Sequence, residues 1–503
     1  MTDDAEHVRE EAAGGRFIRN SVFLVFAEML SKVLGLVFFA FLARFLGARE
    51  LGLYSFGTAV ANFFALAPKF GFERLAQKEI GRASFVGTGH LIEISVIKGI
   101  FSLVSLGLLM VTLAVLKAER IPVLSLIAVF IFTYTYLEYI NSLFRGLKRA
   151  ELEVIVRACF SVSNLALGIV ILLHGPHLPQ VVASQLLCLC AALLLALFLL
   201  KHFSVKTPAS LEWKRLKRHV AQAAPFAGIL LALYFSNQMG ILALSVFKGE
   251  SDVGYFAAAM KLFDNLTLIA AAVMGAFLPM MSELHGSAFS EAFSHALRFT
   301  MKHLFVLSAP IAVGVLILAE PLATFLYGSS FAPSAPSLRI LGAALIFSYW
   351  SYAADAVLIA ADKEGLVFKL TCLGAVVHVA ANLALVPLLS SLGAAWATFV
   401  TQAVYFFCLL AYVQEYVSIR TLLHDILGPV LCALIMGLCV FALRHFHIMA
   451  VIVSGAAIYL AALIGFGVVS KKELKVLQKM LQRRKGAEAH GSTVGSLLEK
   501  SSS

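Results

Sequence analysis

Four charged positions sit inside long apolar runs: Glu28 and Lys32, four residues apart, and Lys261 and Asp264, three apart. Both spacings put the paired side chains on one face of a helix. A charge at the centre of a membrane helix costs about 2.5–3.5 kcal/mol on insertion scales, so it is read as functional unless a neighbour neutralises it. A lysine at such depth can hold an anion. A carboxylate can neutralise that lysine, or carry a proton or a sodium ion. Two further acids, Glu138 and Asp355, have no counter-charge within their own runs. Each lies about 10 Å from the nearer end of its run at 1.5 Å per helical residue. They are candidates for H⁺ or Na⁺ coupling, or are carboxylates that reach water or the basic loops. Asn237 and Gln238 place two adjacent polar side chains in another run.

Other polar residues have plainer readings. Lys98 stands near the start of its run, where its stem can snorkel to the surface. His378, one turn before Asn382, reads as a satisfied core histidine. The seven cysteines all lie in apolar stretches, without CxxC pairs or metal-ligand spacing, and read as small buried hydrophobes. The sequence contains no P-loop and no GxSxG elbow, and no loop is long enough for a nucleotide site. The chemistry to expect is transport rather than catalysis, with no cofactor beyond H⁺ or Na⁺ coupling or the membrane potential.

The elements that must position these residues are membrane helices. Of 503 residues, 60% are hydrophobic and 14% charged, and the mean hydropathy is +0.89. A soluble domain has about 45–50% apolar and about 25% charged residues. A bilayer supplies the missing apolar solvent, and backbone groups in lipid must then be satisfied within helices or a closed barrel. Runs of about 20 residues suit helices rather than ten-residue alternating strands. We expect an all-α polytopic membrane protein with about 14 transmembrane helices. The first run, Ser21 to Phe45, exceeds the 7–15-residue core of a signal peptide and reads as a retained span.

Lysine and arginine set the orientation. With the N-terminus inside, the inner loops carry Lys69, Arg74, Lys78 and Arg82, then Arg145, Lys148, Arg149 and Arg157, then the group from Lys201 to Arg218. Outer loops hold few cations, so both termini are expected in the cytoplasm of a multi-pass protein of the cell inner membrane. The net charge of +11 is then a topology signal and an attraction to anionic membrane lipids, not a nucleic-acid footprint. Leu211 to Val220 reads as an interfacial linker, and Lys471 to Lys485 as a basic amphipathic helix.

The chain also repeats itself. Gly47, Gly52 and Tyr54 after the first run recur as Gly249, Gly254 and Phe256 after the seventh. Glu138 precedes the basic turn at Arg145 by seven residues, and Asp355 precedes Asp362 by seven. Six spans separate the repeats, which implies two pseudo-symmetric six-helix lobes plus two C-terminal helices. The expected divisions are a tail at 1–20, an N-lobe at 21–203, a linker at 204–223, a C-lobe at 224–415, the last two spans at 416–469 and a basic tail at 470–503.

Several short stretches together resemble the polysaccharide-exporter and O-antigen-type oligosaccharide flippases of the multidrug/oligosaccharidyl-lipid/polysaccharide superfamily. They are Gly52-Leu53-Tyr54-Ser55, Gly71-Phe72-Glu73-Arg74-Leu75, Phe144-Arg145-Gly146-Leu147-Lys148-Arg149, Val253-Gly254-Tyr255-Phe256 and Asn382-Leu383-Ala384-Leu385-Val386-Pro387. The resemblance implies a two-lobe fold working by alternating access. Its substrate would be a polyprenyl-diphosphate-linked oligosaccharide moved from the cytoplasmic to the outer leaflet, with a polysaccharide polymerase and glycosyltransferases as partners. It makes Lys32 and Lys261 the diphosphate contacts, with Glu28 and Asp264 as their charge partners. Arg74 and Arg145 would greet the diphosphate at the cytoplasmic entrance, or serve only as orientation signals. Ser31-Lys32-Val33-Leu34-Gly35 is also similar to the first span of lipid II flippases, although Phe38 and Phe39 stand where those carry further charge. Asn237 and Gln238 replace an acid found in many exporters. A lipid II flippase and a multidrug/cation antiporter of the same superfamily remain the alternatives.

Overall fold

A computed structural model of the chain describes residues 2–83, 86–116, 120–175, 177–205, 213–283 and 291–468. The basic helix expected at Lys471 to Lys485 and the tail after it lie outside these residues, as does the start of the linker at Leu211. The N-terminal unit spans 1–257 and the C-terminal unit 258–503.

Helices account for almost all of the described chain. They are α1 (Thr2–Phe64), α2 (Leu66–Lys69), α3 (Phe72–Ala83), α4 (Thr88–Leu116), α5 (Ile121–Gly146), α6 (Ala150–His174), α7 (Leu178–Lys201) and α8 (Trp213–Phe247). They continue as α9 (Glu250–Glu283), α10 (Glu291–Tyr327), α11 (Ala335–Ala360), α12 (Glu364–Leu389), α13 (Ser391–Val413), α14 (Ile419–Leu443) and α15 (Ile448–Gly465). One parallel two-residue pairing, Val86–Gly87 with Ser204–Val205, ties two loops of the N-terminal unit.

Among the described residues, 12 helices are long and apolar enough to cross a membrane. The first two expected spans are two helices that meet without a loop at Gly47 (φ 75°, ψ 177°) and are counted together as Glu28–Phe64. That conformation is open to glycine and disfavoured for residues with a Cβ. The seventh expected span is counted only as the short apolar helix Asn237–Phe247. The helix α1 also begins at Thr2, within the segment expected as a tail.

The N-terminal unit packs the second half of α1 with α3, α4, α5 and α7 around Leu53, Phe72, Ile94, Leu143 and Leu189. The chain reaches α3 through a hook: α1 ends, α2 adds one turn, and Phe70 (φ 28°) and Gly71 (φ 80°) reverse direction. Lys98 holds this hook. It does not snorkel, as its sequence position suggested. It is fully buried, and its Nζ donates to the Pro68 carbonyl at 2.9 Å. The ammonium also lies 5.6 Å and 5.4 Å from the ring centres of Tyr136 and Tyr139, within cation–π range. The hook leaves helix-end carbonyls without intrahelical donors, and the lysine supplies one.

In the C-terminal unit, α10 packs on α11 and α14, while α13 packs on α11 and α12. Arg298 of α10 grips Asp425 of α14 with both Nε and Nη2, which fastens the last helix pair to the unit.

The internal repeat reappears in hydrogen bonds. After α5, the amides of Leu147, Lys148 and Arg149 donate to the carbonyls of Leu143, Arg145 and Phe144. After α11, those of Ala361, Asp362 and Lys363 donate to Val357, Ile359 and Leu358 in the same pattern. Lys148 (φ 57°) and Asp362 (φ 53°) occupy the same left-handed position. This corrects the sequence alignment by about one helical turn. Counting back seven residues from each pairs Asp355 with Asn141, and counting back ten pairs Glu138 with Tyr352.

Candidate functional site

Three helices of the N-terminal unit enclose a cavity of about 170 Å³. Helix α1 contributes Glu28, Ser31, Lys32, Leu34 and Gly35. Helix α5 contributes Tyr134, Leu137, Glu138 and Asn141, and α6 contributes Arg157, Phe160, Ser161 and Asn164. The α5 and α6 sets follow the i, i+3, i+4, i+7 spacing of one helical face, and so does the α1 set apart from Leu34. The hairpin between α5 and α6 explains why Glu138 and Arg157 meet. Glu138 stands eight residues before Gly146, the last of α5, and Arg157 seven residues after Ala150, the first of α6. Antiparallel helices joined by a short turn bring these positions level.

The charges form a chain. Arg157 Nη2 lies 3.2 Å and 3.3 Å from the two Glu138 carboxylate oxygens. Its Nε donates to Glu153 Oε1 at 2.8 Å. Arg145 Nη1 donates to the same oxygen at 2.7 Å. Glu153 is almost entirely enclosed, with its side chain 2% exposed, whereas the Glu138 side chain is 20% exposed. Glu28 and Lys32 line the cavity one turn apart, and no ion pair joins them among the described residues. Asn141 is fully buried, and neither end of its amide finds a partner among the described residues. Asn164 Oδ1 is also without one.

The sequence candidates therefore divide. Glu28, Lys32 and Glu138 share one cavity. Arg145 touches it only through Glu153 and Arg157. Arg74 is exposed on α3, and Asn237 and Gln238 stand on α8, outside the cavity wall. The beginning of α3 is not inert, because burial raises the pKa of Glu73, opposed by the neighbouring Lys98 and Lys69 ammonium groups.

Lys261, Asp264 and Asp355 belong to the C-terminal unit. Lys261 is half-buried and Asp264 exposed on α9. Asp355 of α11 accepts a hydrogen bond from Tyr405 of α13 at 2.7 Å, and the Tyr405 hydroxyl lies 3.4 Å from Thr371 Oγ1 on α12. The acid thus has a neutral partner from another helix. His378 is buried, with Nδ1 3.1 Å from Thr401 Oγ1, as a core histidine should be.

Arg157 is the cavity cation that sequence reasoning passed over, and Tyr134, Asn141 and Asn164 went unnamed with it. Its number placed it beside a basic loop, and loop cations read as orientation signals. The signal available was periodic: Arg157, Ser161 and Asn164 mark one polar face on an otherwise apolar helix.

The profile of a family described as polysaccharide biosynthesis protein matches residues 17–285, more than half of the chain and the whole of this cavity. A protein of Haloferax volcanii, provisionally named low-salt glycan biosynthesis flippase Agl15, is 21% identical over 85% of this chain and 89% of its own. A Shigella dysenteriae protein provisionally named O-antigen transporter is 22% identical over 64% of this chain and 80% of its own. Among solved structures, the inward closed form of the lipid II flippase MurJ superposes with a TM-score of 0.70 at 15% identity, over 89% of this chain and 99% of the other. An inward-facing multidrug transporter of the MATE family gives 0.57 at 15% identity, over 79% and 98%. At such identity the two structures establish the fold.

Proposed function

This chain belongs to the polysaccharide biosynthesis protein family, and from that premise we propose that it is a flippase for a lipid-linked oligosaccharide. The relatives' names, glycan biosynthesis flippase and O-antigen transporter, support this substrate class. The observation that carries the reading is the cavity itself, with Lys32 and Arg157 set inside apolar helices of membrane-spanning length.

Physical chemistry makes such a cavity necessary. Each sugar hydroxyl or phosphate oxygen taken into hydrocarbon without a partner costs several kcal/mol. A polar chamber lowers that cost for the head group while the polyprenyl tail stays in lipid. We assign diphosphate contacts to the cationic side chains Lys32 and Lys261, each within its own unit, with Arg74 and Arg145 nearer the cytoplasmic entrance. In this reading Glu28, Asp264 and Glu138 are charge partners, and Asp355 is the coupling carboxylate for H⁺ or Na⁺. Asn237 and Gln238 add polar surface for the glycan. The lobes at 21–203 and 224–415 alternate in access within the inner membrane, and both termini face the cytoplasm. Moving one charge across 100 mV is worth about 2.3 kcal/mol, so an inside-negative potential favours outward transfer of an anionic head. A polymerase and glycosyltransferases act after and before it.

The experiment is transfer of a fluorescent short-chain lipid-diphosphate oligosaccharide in vesicles containing the purified protein. The proposal expects access of an external quencher to the label to change with the protein's presence. Transfer at the rate of protein-free vesicles would refute it.

A further inference from the structure

The N-terminal cavity holds an arginine with two unequal partners. Glu153 grips the Nε edge of Arg157 at 2.8 Å, is 2% exposed, and is itself fixed by Arg145 at 2.7 Å. Glu138 meets the Nη2 side at 3.2 Å and is 20% exposed, on the cavity wall. One carboxylate is fixed by two arginines; the other is paired with Arg157 and the Tyr134 hydroxyl, keeps Oε1 buried, and is the more exposed of the two, on the cavity side. Beside them, Asn141 has a buried amide whose nitrogen and oxygen both lack partners among the described residues. Leaving such a group unpaired costs about 1–3 kcal/mol, so the amide favours any polar occupant, water or ligand, that reaches it.

We infer that this cavity is an anion subsite for a phosphate or diphosphate group, and that Glu138 is the protein's own stand-in for that group on Arg157. The occupant's oxygens replace the Glu138 carboxylate on the Nη side, while Glu153 keeps the guanidinium in place. Lys32 and the Asn141 amide supply the remaining donors. The planar guanidinium fork suits a phosphate as it suits a carboxylate. Charge explains why the exchange is needed. With Glu138 in place, Glu28 and Glu138 balance Lys32 and Arg157, and the empty cavity carries no net charge into the membrane. Once Glu138 is displaced, the Nη side of Arg157 is open to an anion, with Lys32 on the same cavity wall. At about 170 Å³ the space takes the charged group and leaves the bulk of a glycan outside.

The identity of the lipid that brings the phosphate rests on the flippase reading; the exchange itself does not. The test is calorimetric titration of the purified full-length protein with geranylgeranyl diphosphate, inorganic pyrophosphate and geranylgeraniol. Wild type binds the first and not the alcohol. Glu138→Gln binds it about tenfold tighter, because an internal competitor lowers apparent affinity by the fraction of sites it occupies. Arg157→Gln loses binding, and Arg157→Lys, which keeps charge without the fork, binds between the two. Pyrophosphate sharing the Glu138→Gln gain places recognition in the phosphates alone; a gain confined to the lipid diphosphate adds a contact with the chain, and either supports the exchange. Equal or weaker binding by Glu138→Gln overturns it, and this arm decides the matter even if the arginine variants fail to fold. Export complementation separates the two claims. Restored export with no Glu138→Gln gain keeps the flippase and discards the exchange; a gain without restored export does the reverse.

Discussion

Gly52 and Gly254 each abut the other's turn: a Cβ on Gly52 would lie 1.8 Å from the Glu250 carbonyl oxygen, and one on Gly254 1.9 Å from that of Ala48. Both glycines belong to the N-terminal unit, and the Arg49–Glu250 ion pair at 3.1 Å spans the same two turns. The repeat read from the sequence is therefore also a packing contact, in which neither turn has room for a side chain.

Gly254→Ala is expected to lower the melting temperature in detergent, with overpacking of about 1–3 kcal/mol or more because the obstructing atom is backbone. Gly249→Ala serves as the control, since nothing lies within 4 Å of the added carbon. Equal melting of the two variants would show that the turns separate at little cost.

Lys98→Met is expected to destabilise the N-terminal unit by about 3–5 kcal/mol, the range for removing one partner from a buried charged set. It strips the donor from the Pro68 carbonyl and the ammonium from beside Glu73. Adding Glu73→Gln should restore part of the loss. Thermal melts of the single and double variants check this, and additive losses would contradict it.

The Glu73 carboxyl also predicts a pH slope. Burial raises its folded pKa, so the folded protein holds this proton more tightly than the unfolded chain. The group's contribution is fully present below the ordinary carboxylate value and is lost as pH climbs through the raised one. Melting temperature against pH should fall less steeply above the ordinary carboxylate range in Glu73→Gln than in wild type. Parallel curves would mean that the acid is ionised to the same extent in both states.

Tyr405→Phe removes the hydrogen bond to Asp355 at the cost of one oxygen, and Asp355→Asn removes the titrating group itself. If Asp355 couples transport, export falls about tenfold or more in Asp355→Asn, while melting shifts by no more than the ~1–3 kcal/mol expected of a polar exchange. Tyr405→Phe should shift the pH profile of export instead. Unchanged export in Asp355→Asn would leave the acid a structural partner of Tyr405.

Much of the fold was legible because lipid imposes length and composition on every span, and lysine and arginine mark the loops. Two positions show where the sequence was clear and where it was not. The turn after the first run, which ends at Phe45, falls where Gly47 leaves helical geometry and divides α1. Lys98 sits where a snorkelling lysine would sit, and only the Pro68 hook, which the sequence does not draw, turns it inward. In the cavity, Glu28, Lys32 and Glu138 stood out because they break apolar runs. Arg157 did not, since its depth depends on where α6 begins. The arginine paired with Glu138 and the tyrosine paired with Asp355 lie on other helices, and periodicity within a span cannot name them.

The most direct measurement is the fate of the lipid-linked oligosaccharide in cells lacking this protein, with mass spectrometry to identify the lipid and a membrane-impermeant reagent to report its leaflet. The account predicts that the lipid-diphosphate glycan accumulates facing the cytoplasm, and that the wild-type chain restores its outward exposure. Unaltered levels and leaflet distribution in the deletion strain, with polysaccharide still exported, would contradict it.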